Sequence, residues 1–185
     1  MVKKEVRVLG IDDGPFDKFR DKQAFIIGAF YRGGSFLDGV LSAMVAVDCS
    51  DAPSKISAMV IKSKFRPQLQ AILLDGIAVA GFNLIDIRQL ASKTRIPVIV
   101  TMRRMPRIAK MRPALAKLGK SDLLLKKAGI IRSIGKMHYQ CAGIIPEKAE
   151  AILKVTASHS EIPEPLRVAH IIASGVAFGE SKGRA

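Results

Sequence analysis

The fold is decided by a short apolar stretch, AILLDG at residues 71–76, in which four apolar residues run into an acidic turn. A run this short and uninterrupted predicts a strand that is buried on both faces, as in a parallel sheet. Apolar residues at helical spacing follow over 84–91, and a second apolar run comes at 96–101. The order strand, helix, strand predicts a parallel pair of strands joined by a right-handed crossover.

The sequence before this unit has a different pattern. Apolar runs at 6–11, 24–31 and 36–47 are separated by short segments rich in glycine and aspartate. This pattern predicts three strands joined by short loops, which is typical of an antiparallel meander.

Two helices are predicted between the strands, each with a polar residue at its start. The first covers 53–65, and either Asp51 or Ser54 is available to cap it. The second is expected to be capped by Asn83, with Asp86 three residues later in a shortened capping box.

The rest of the chain continues the alternation of helices and strands. Helices are predicted at 108–118 and 121–128, a strand at 137–144, and two final helices beginning at Pro146 and near residues 163–165. Three antiparallel strands followed by this alternation predict a mixed α/β sheet flanked by helices. Because no repeat or linker interrupts the pattern, one domain is expected across residues 1–185.

The charge of the chain indicates a polyanionic partner. Lysine and arginine number 30 against 16 acidic residues, for a net charge of +14. Residues 101–136 alone hold eleven basic residues and one acid, without any aromatic residue. Such a segment suits phosphate contact rather than base stacking, and the alternative is a solvated helical face. The candidates for nucleic-acid contact are Arg103, Arg104, Arg107 and Lys110.

Acidic residues stand at the ends of two predicted strands. Asp12 and Asp13 follow the first strand, and Asp75 ends the strand at 71–74. If these strands are parallel neighbours about 4.8 Å apart, Asp12 and Asp75 can share a cation, and Mg²⁺ or Mn²⁺ prefers such oxygen ligands. Asp13 is expected to point to the opposite side of the sheet. The competing interpretation is ordinary turn chemistry, since aspartate before glycine favours turns.

Three more residues are candidates for the same site. Asp51 opens the first helix and Glu164 the last, where each also fits a purely structural role as a cap or a partner of the helix dipole. His170 follows Glu164 by six residues, and its apolar neighbours make partial burial an equal alternative to a ligand role.

Several classes of protein lose support. Neither a GxGxxG nor a GxxxxGK[ST] motif occurs, so no nucleotide cofactor is expected, and no serine stands in a nucleophile elbow. No apolar run reaches the length of a membrane span, and no secretory signal is recognised at the start. Because Cys49 and Cys141 fit no metal spacing, a reducing, cytoplasmic location is expected.

Three motifs together resemble a known family. They are GIDDGPF at 10–16, LDGIAVAGFN at 74–83 and EPLRVAH at 164–170, and the chain closes with GESKGRA at 179–185. Over nearly its whole length the chain resembles the archaeal endonuclease dU family, formerly a group of unknown function. That family is distantly similar to endonuclease V, and the resemblance therefore implies a ribonuclease H-like fold.

The resemblance also implies roles for individual residues. Asp12 and Asp75 look like the two strand-end aspartates of endonuclease V, and Asp51 takes the place of a glutamate after its third strand. Arg103 stands where endonuclease V has a lysine, and the ligand on the last helix would be Glu164 or His170. No counterpart of the aromatic wedge of endonuclease V is found.

Together these observations predict a Mg²⁺-dependent endonuclease that acts on DNA containing a deaminated base such as deoxyuridine. In this hypothesis Asp12, Asp75 and Glu164 are metal ligands, and Asp51 and His170 assist catalysis. The alternative is a non-catalytic nucleic-acid-binding protein that retains the fold.

Overall fold

The computed structural model describes residues 2–182, and within them most strands belong to one mixed sheet. The strands are β1 (Arg7–Asp13), β2 (Gln23–Arg32), β3 (Phe36–Ala46), β4 (Ala71–Asp75), β5 (Ala78–Val79), β6 (Asn83–Leu84), β7 (Val98–Met102), β8 (Arg132–Ile134) and β9 (Met137–Ala142). The helices are α1 (Ala52–Lys62), α2 (Ile87–Thr94), α3 (Ile108–Lys117), α4 (Leu123–Lys127), α5 (Pro146–Thr156) and α6 (Glu164–Phe178).

The sheet has the order β3-β2-β1-β4-β7-β9-β8. Strands β1, β4 and β7 are parallel, and the pairs β1–β2, β2–β3, β7–β9 and β8–β9 are antiparallel. This confirms the predicted mixed α/β sheet, with three antiparallel strands followed by parallel ones. The short strand β8 and the separate hairpin of β5 and β6 were not predicted, because strands of two or three residues carry no readable alternation.

Two apolar layers cover the two faces of the sheet. On one face Leu9 and Ile11 pack in a core that includes Ile56 of α1. On the other face Val8 packs with Leu166 of α6, and α5 contributes to the same core. Alternate residues of β1 therefore enter opposite cores, as the pleat of a strand requires.

Helix α6 crosses β1 at close range, and a glycine permits it. A Cβ atom added at Gly10 would lie 2.6 Å from Cβ of Pro165 and would also collide with the backbone of that proline. This close approach brings the middle of α6 to the end of β1, where the acidic residues begin.

The helix starts differ from the predicted ones. Helix α2 begins at Ile87, because Oδ1 of Asp86 accepts hydrogen bonds from the backbone N–H groups of Arg88 and Gln89, both at 3.0 Å. The cap predicted at Asn83 is therefore wrong. Asp51 does occupy the N-cap position of α1, but its side chain makes no capping hydrogen bond.

Among residues 2–182, no helix is both long enough and apolar enough to cross a membrane. The final residues of the closing GESKGRA motif, 183–185, lie outside the described part of the chain.

Candidate active site

Asp12 and Asp75 are neighbours at the edge of the sheet where β1 and β4 end. The last register pair between these parallel strands is Ile11 with Leu74, so the two aspartates come next on adjacent strands. Ile11 and Leu74 face the core beneath α1 and α2. Because side chains alternate along a strand, both aspartates point to the opposite face, which α6 covers.

His170 of α6 contacts this pair directly. Its Nδ1 lies 2.9 Å from Oδ2 of Asp12, whose side chain is almost fully buried. The hydrogen bond to Asp12 raises the pKa of His170 above its usual value, since it favours the charged imidazolium. The other carboxylate oxygen of Asp12 accepts a hydrogen bond from the backbone N–H of Asp13 at 2.9 Å.

Asp13 points away from Asp12, as predicted, yet it borders the same cavity. Its Oδ2 accepts a hydrogen bond of 2.7 Å from the backbone N–H of Ala80, next to the hairpin of β5 and β6. Burial first, and then the charge of Asp12, raise the pKa of Asp13 to about 6. The pleat could predict the direction of Asp13 but not this contact, because Ala80 is 67 residues away in the chain.

The pKa of Asp75 is raised to about 6, first by its burial and then by the neighbouring charge of Asp12. Arg103 partly compensates, with Nη2 lying 3.8 Å from Oδ2 of Asp75. Three carboxyl groups therefore approach one another in a partly buried position, where a bound cation would relieve their repulsion.

The acidic residues open into a cavity of about 470 Å³. Its lining includes Asp12, Asp13, Asp75, Arg103 and His170. A smaller, mostly apolar cavity of about 190 Å³ begins at Gly76, directly after Asp75, and has the amide of Gln140 in its wall. The linings of the two cavities thus include consecutive residues, Asp75 and Gly76.

The donor set fits a hard divalent cation. Carboxylate oxygens on two neighbouring strands are the ligands that Mg²⁺ prefers, and this ion keeps several waters of its own. Among residues 2–182, no group of three or more His, Cys, Asp or Glu side chains has the arrangement of a complete metal site. The fit therefore depends on Asp12 and Asp75, with water in the remaining positions.

Glu164 lies in a different cluster. It is buried, and its carboxylate accepts hydrogen bonds from Arg167 at 2.7–3.0 Å and lies 3.5 Å from Nδ1 of His159. Glu164 and His170 are six residues apart on α6, or about 9 Å along the helix axis. Of the two candidates on the last helix, the structure brings His170 and not Glu164 to the aspartates.

Asp51 is likewise held away from the acidic cavity. Its carboxylate accepts hydrogen bonds from the backbone N–H of Ala46 and from the side-chain amide of Asn83, the latter at 2.7 Å. Burial raises the pKa of Asp51, but the hydrogen bonds from Asn83, Ala46 and Lys55 together bring it below its usual value. Asn83 also bonds the backbone N–H of Ala52 and the carbonyl of Ala46, so this cluster joins β3, α1 and β6.

The basic candidates continue from the acidic site along the chain. Arg103 lines the acidic cavity itself. Arg104, Arg107 and Lys110 are exposed on the segment that follows β7 and on the first turn of α3. All four basic candidates are thus exposed, and the first of them, Arg103, lies beside Asp75.

Comparison with known proteins gives a consistent set of relatives. Residues 4–177 match the model of a family described as endonuclease dU. The UPF0215 protein of Methanopyrus kandleri is 44% identical over 193 residues, covering 100% of this chain and 98% of its own. A crystal structure of a protein of unknown function from Archaeoglobus fulgidus has a TM-score of 0.86 at 38% identity, covering 92% of this chain and 98% of that one.

Two endonuclease V structures are similar at lower identity. The enzyme from Bacillus subtilis has a TM-score of 0.58 at 12% identity, covering 94% of this chain and 81% of its own. Endonuclease V from Ciona intestinalis, in complex with DNA containing an inosine followed by a ribo-adenosine, has a TM-score of 0.55 at 16% identity and covers 89% and 82%. These similarities show that the fold is ribonuclease H-like, as expected.

Proposed function

The chain belongs to the endonuclease dU family. We propose that it is an endonuclease acting on DNA that contains deaminated bases such as deoxyuridine. The main support for the proposal is that Asp12 and Asp75 lie at the ends of adjacent strands, followed in the chain by the exposed basic residues of 103–110. The inosine-containing DNA bound by the Ciona intestinalis endonuclease V supports a deaminated base as the recognised lesion.

We propose Mg²⁺ as the cofactor, with Mn²⁺ as a substitute. Asp12 and Asp75 would hold the ion. When bound, a divalent cation supplies charge stabilisation at the phosphate oxygens and lowers the pKa of a bound water.

The other residues of the site bind and orient. His170 donates to Oδ2 of Asp12 and so fixes the direction of that carboxylate. Arg103 stands beside Asp75, where its guanidinium can contact a non-bridging phosphate oxygen. Arg104, Arg107 and Lys110 hold phosphates farther along the backbone, which positions the strand without reading its sequence.

The activity is tested with matched duplexes that contain deoxyuridine, inosine or only ordinary bases, each with Mg²⁺ or with EDTA. Nicking is expected in the modified duplexes and only with the metal. Asp75→Ala protein purified in parallel should not nick. Metal-independent nicking, or equal nicking by Asp75→Ala, would point to a contaminant or another centre. Binding without cleavage would instead favour a non-catalytic DNA-binding protein.

The role of the exposed cations is tested by the salt dependence of DNA binding. When Arg104, Arg107 and Lys110 are all replaced by alanine, the negative slope of log K against log salt is expected to become less steep by about 3. Each phosphate contact contributes about −0.9 to this slope. Lys154→Ala is the matched control, since Lys154 is exposed on α5, near the turn between β2 and β3 at the opposite edge of the sheet. An unchanged slope in the triple variant would contradict the assignment.

A further inference from the structure

Aromatic side chains line the acidic cavity and the cavity next to it. Phe16, Phe25 and Phe178 line a second cavity of about 560 Å³. This cavity shares Pro15, Phe16 and Phe178 with the acidic one, so the two are continuous. Residues 101–136 contain no aromatic residue, so these rings come from other parts of the chain than the basic segment.

Phe19, in the loop between β1 and β2, is the most exposed of the large apolar residues in the described part of the chain, with 95% of its surface accessible. The loop holds this position through its own polar groups. Oδ1 of Asp17 accepts a hydrogen bond from the backbone N–H of Phe19 at 2.8 Å, and Asp21 accepts one from the N–H of Asp17 at 2.7 Å. The ring is therefore presented to solvent on an ordered turn.

The preceding residue anchors the same loop. Nζ of Lys18 lies 3.9 Å from Asp48 and 5.8 Å from the centre of the Phe82 ring. Because Lys18 turns toward the hairpin of β5 and β6, the loop is tied to the protein at the residue before Phe19.

The charges around these rings suit a polyanion. Lys18 and Arg20 flank Phe19 in the sequence, and Nζ of Lys182 lies 5.5 Å from the centre of the Phe178 ring. Asp17 and Asp21 accept hydrogen bonds from N–H groups of the loop, and Oδ2 of Asp17 also lies 3.7 Å from Nε of Arg20. An exposed aromatic ring between cations is the arrangement with which proteins bind unpaired nucleobases.

Phe16, Phe25 and Phe178 line the two cavities, and the loop that carries Phe19 lines the second one through Asp17 and Asp21. We propose that these four aromatic rings stack on unpaired bases of the DNA strand that enters the acidic site. This inference rests on the proposed function for the identity of the partner and adds a division of labour to it. The exposed cations of residues 103–110 hold paired DNA by its phosphates, and the rings hold bases that have left the duplex.

The test measures binding in EDTA, so that it does not depend on cleavage. A single-stranded oligonucleotide and the fully paired duplex of the same sequence are titrated into the full chain. Phe19→Ala is expected to weaken single-strand binding about tenfold and to leave duplex binding and its salt slope unchanged, because a stacked base contributes through its face. Phe19→Trp should restore single-strand binding, whereas Phe19→Leu should not.

Phe36→Ala is the matched control, since Phe36 is 57% exposed at the start of β3, eight residues before Met44, which lines the second cavity, and is expected to have no effect. The inference is overturned if Phe19→Ala binds single strands like the natural chain, or if it weakens single-strand and duplex binding equally. Failure of the proposed function looks different, because the natural chain would then bind no DNA at low salt or would bind it without cleaving. Thermal melting of Phe19→Ala should match that of the natural chain, given the exposure of this ring.

Discussion

Asp75→Asn is expected to stabilise the metal-free protein at pH 7.5 by about 1–2 kcal/mol and to slow DNA cleavage by at least ~10³-fold. The variant is more stable because it replaces a buried carboxylate, repelled by Asp12, with a neutral amide. Its cleavage is slower because a metal ligand contributes several kcal/mol to stabilisation of the transition state. Chemical denaturation in EDTA and cleavage with Mg²⁺ measure the two effects.

The stability difference should depend on pH in a defined direction. The pKa of Asp75 is raised from 3.8 to about 6 in the folded chain, so the folded state retains a proton that the unfolded state releases. The natural chain therefore loses stability from this group as pH rises from about 4 to about 6, and Asp75→Asn does not. The advantage of the variant should vanish below pH 4.

Asp86→Ala is the matched control for this pair of effects. Asp86 caps α2 with two hydrogen bonds and does not line the acidic cavity. Its removal is expected to cost about 1 kcal/mol of stability and to leave cleavage per folded molecule unchanged. If Asp75→Asn were destabilising like Asp86→Ala, Asp75 would be an architectural residue and the proposed metal site would be wrong.

Gly10→Ala is expected to destabilise the chain by about 3 kcal/mol and to lower its melting temperature by about 10 °C. The added methyl group would meet backbone atoms of Pro165, which cannot move aside as a flexible side chain can. The first turn of α6 would then be displaced from β1. Because α6 carries His170, the hydrogen bond to Asp12 should lengthen and cleavage should decrease as well.

Gly175→Ala on the same helix provides the opposite expectation. No atom lies within 4 Å of a Cβ added there, and glycine is unfavourable in the interior of a helix. This variant should gain about 0.5–1 kcal/mol. Equal effects of the two substitutions on thermal melting would contradict the close packing of α6 on β1.

The central strands could be read from local patterns, but not all of their pairing. The apolar run before Asp75 and the alternation before Asp12 predict buried strands, and the helix between 71–76 and 96–101 predicts that these two later strands are parallel. Asp12 and Asp75 meet only if the first strand also lies parallel beside the strand at 71–74, and the structure shows this pairing.

Local patterns could not decide which of the other predicted residues belong to the site. Glu164 and His170 fit the same local patterns, and the choice depends on where α6 crosses β1. Asp51 has the features of a helix cap, but Asn83, which is 32 residues away in the chain, engages its carboxylate.

The sequence by itself determined the succession of strands and helices along the chain, the acidic residues at the ends of two strands and the concentration of positive charge, because periodicity, alternation and composition are local properties of the chain. Only the tertiary structure decided that His170 rather than Glu164 meets Asp12, and that aromatic residues from both ends of the chain share one surface. These are contacts between segments as much as 158 residues apart. Such contacts are set by how closely a helix can approach a strand, and no local pattern encodes that distance.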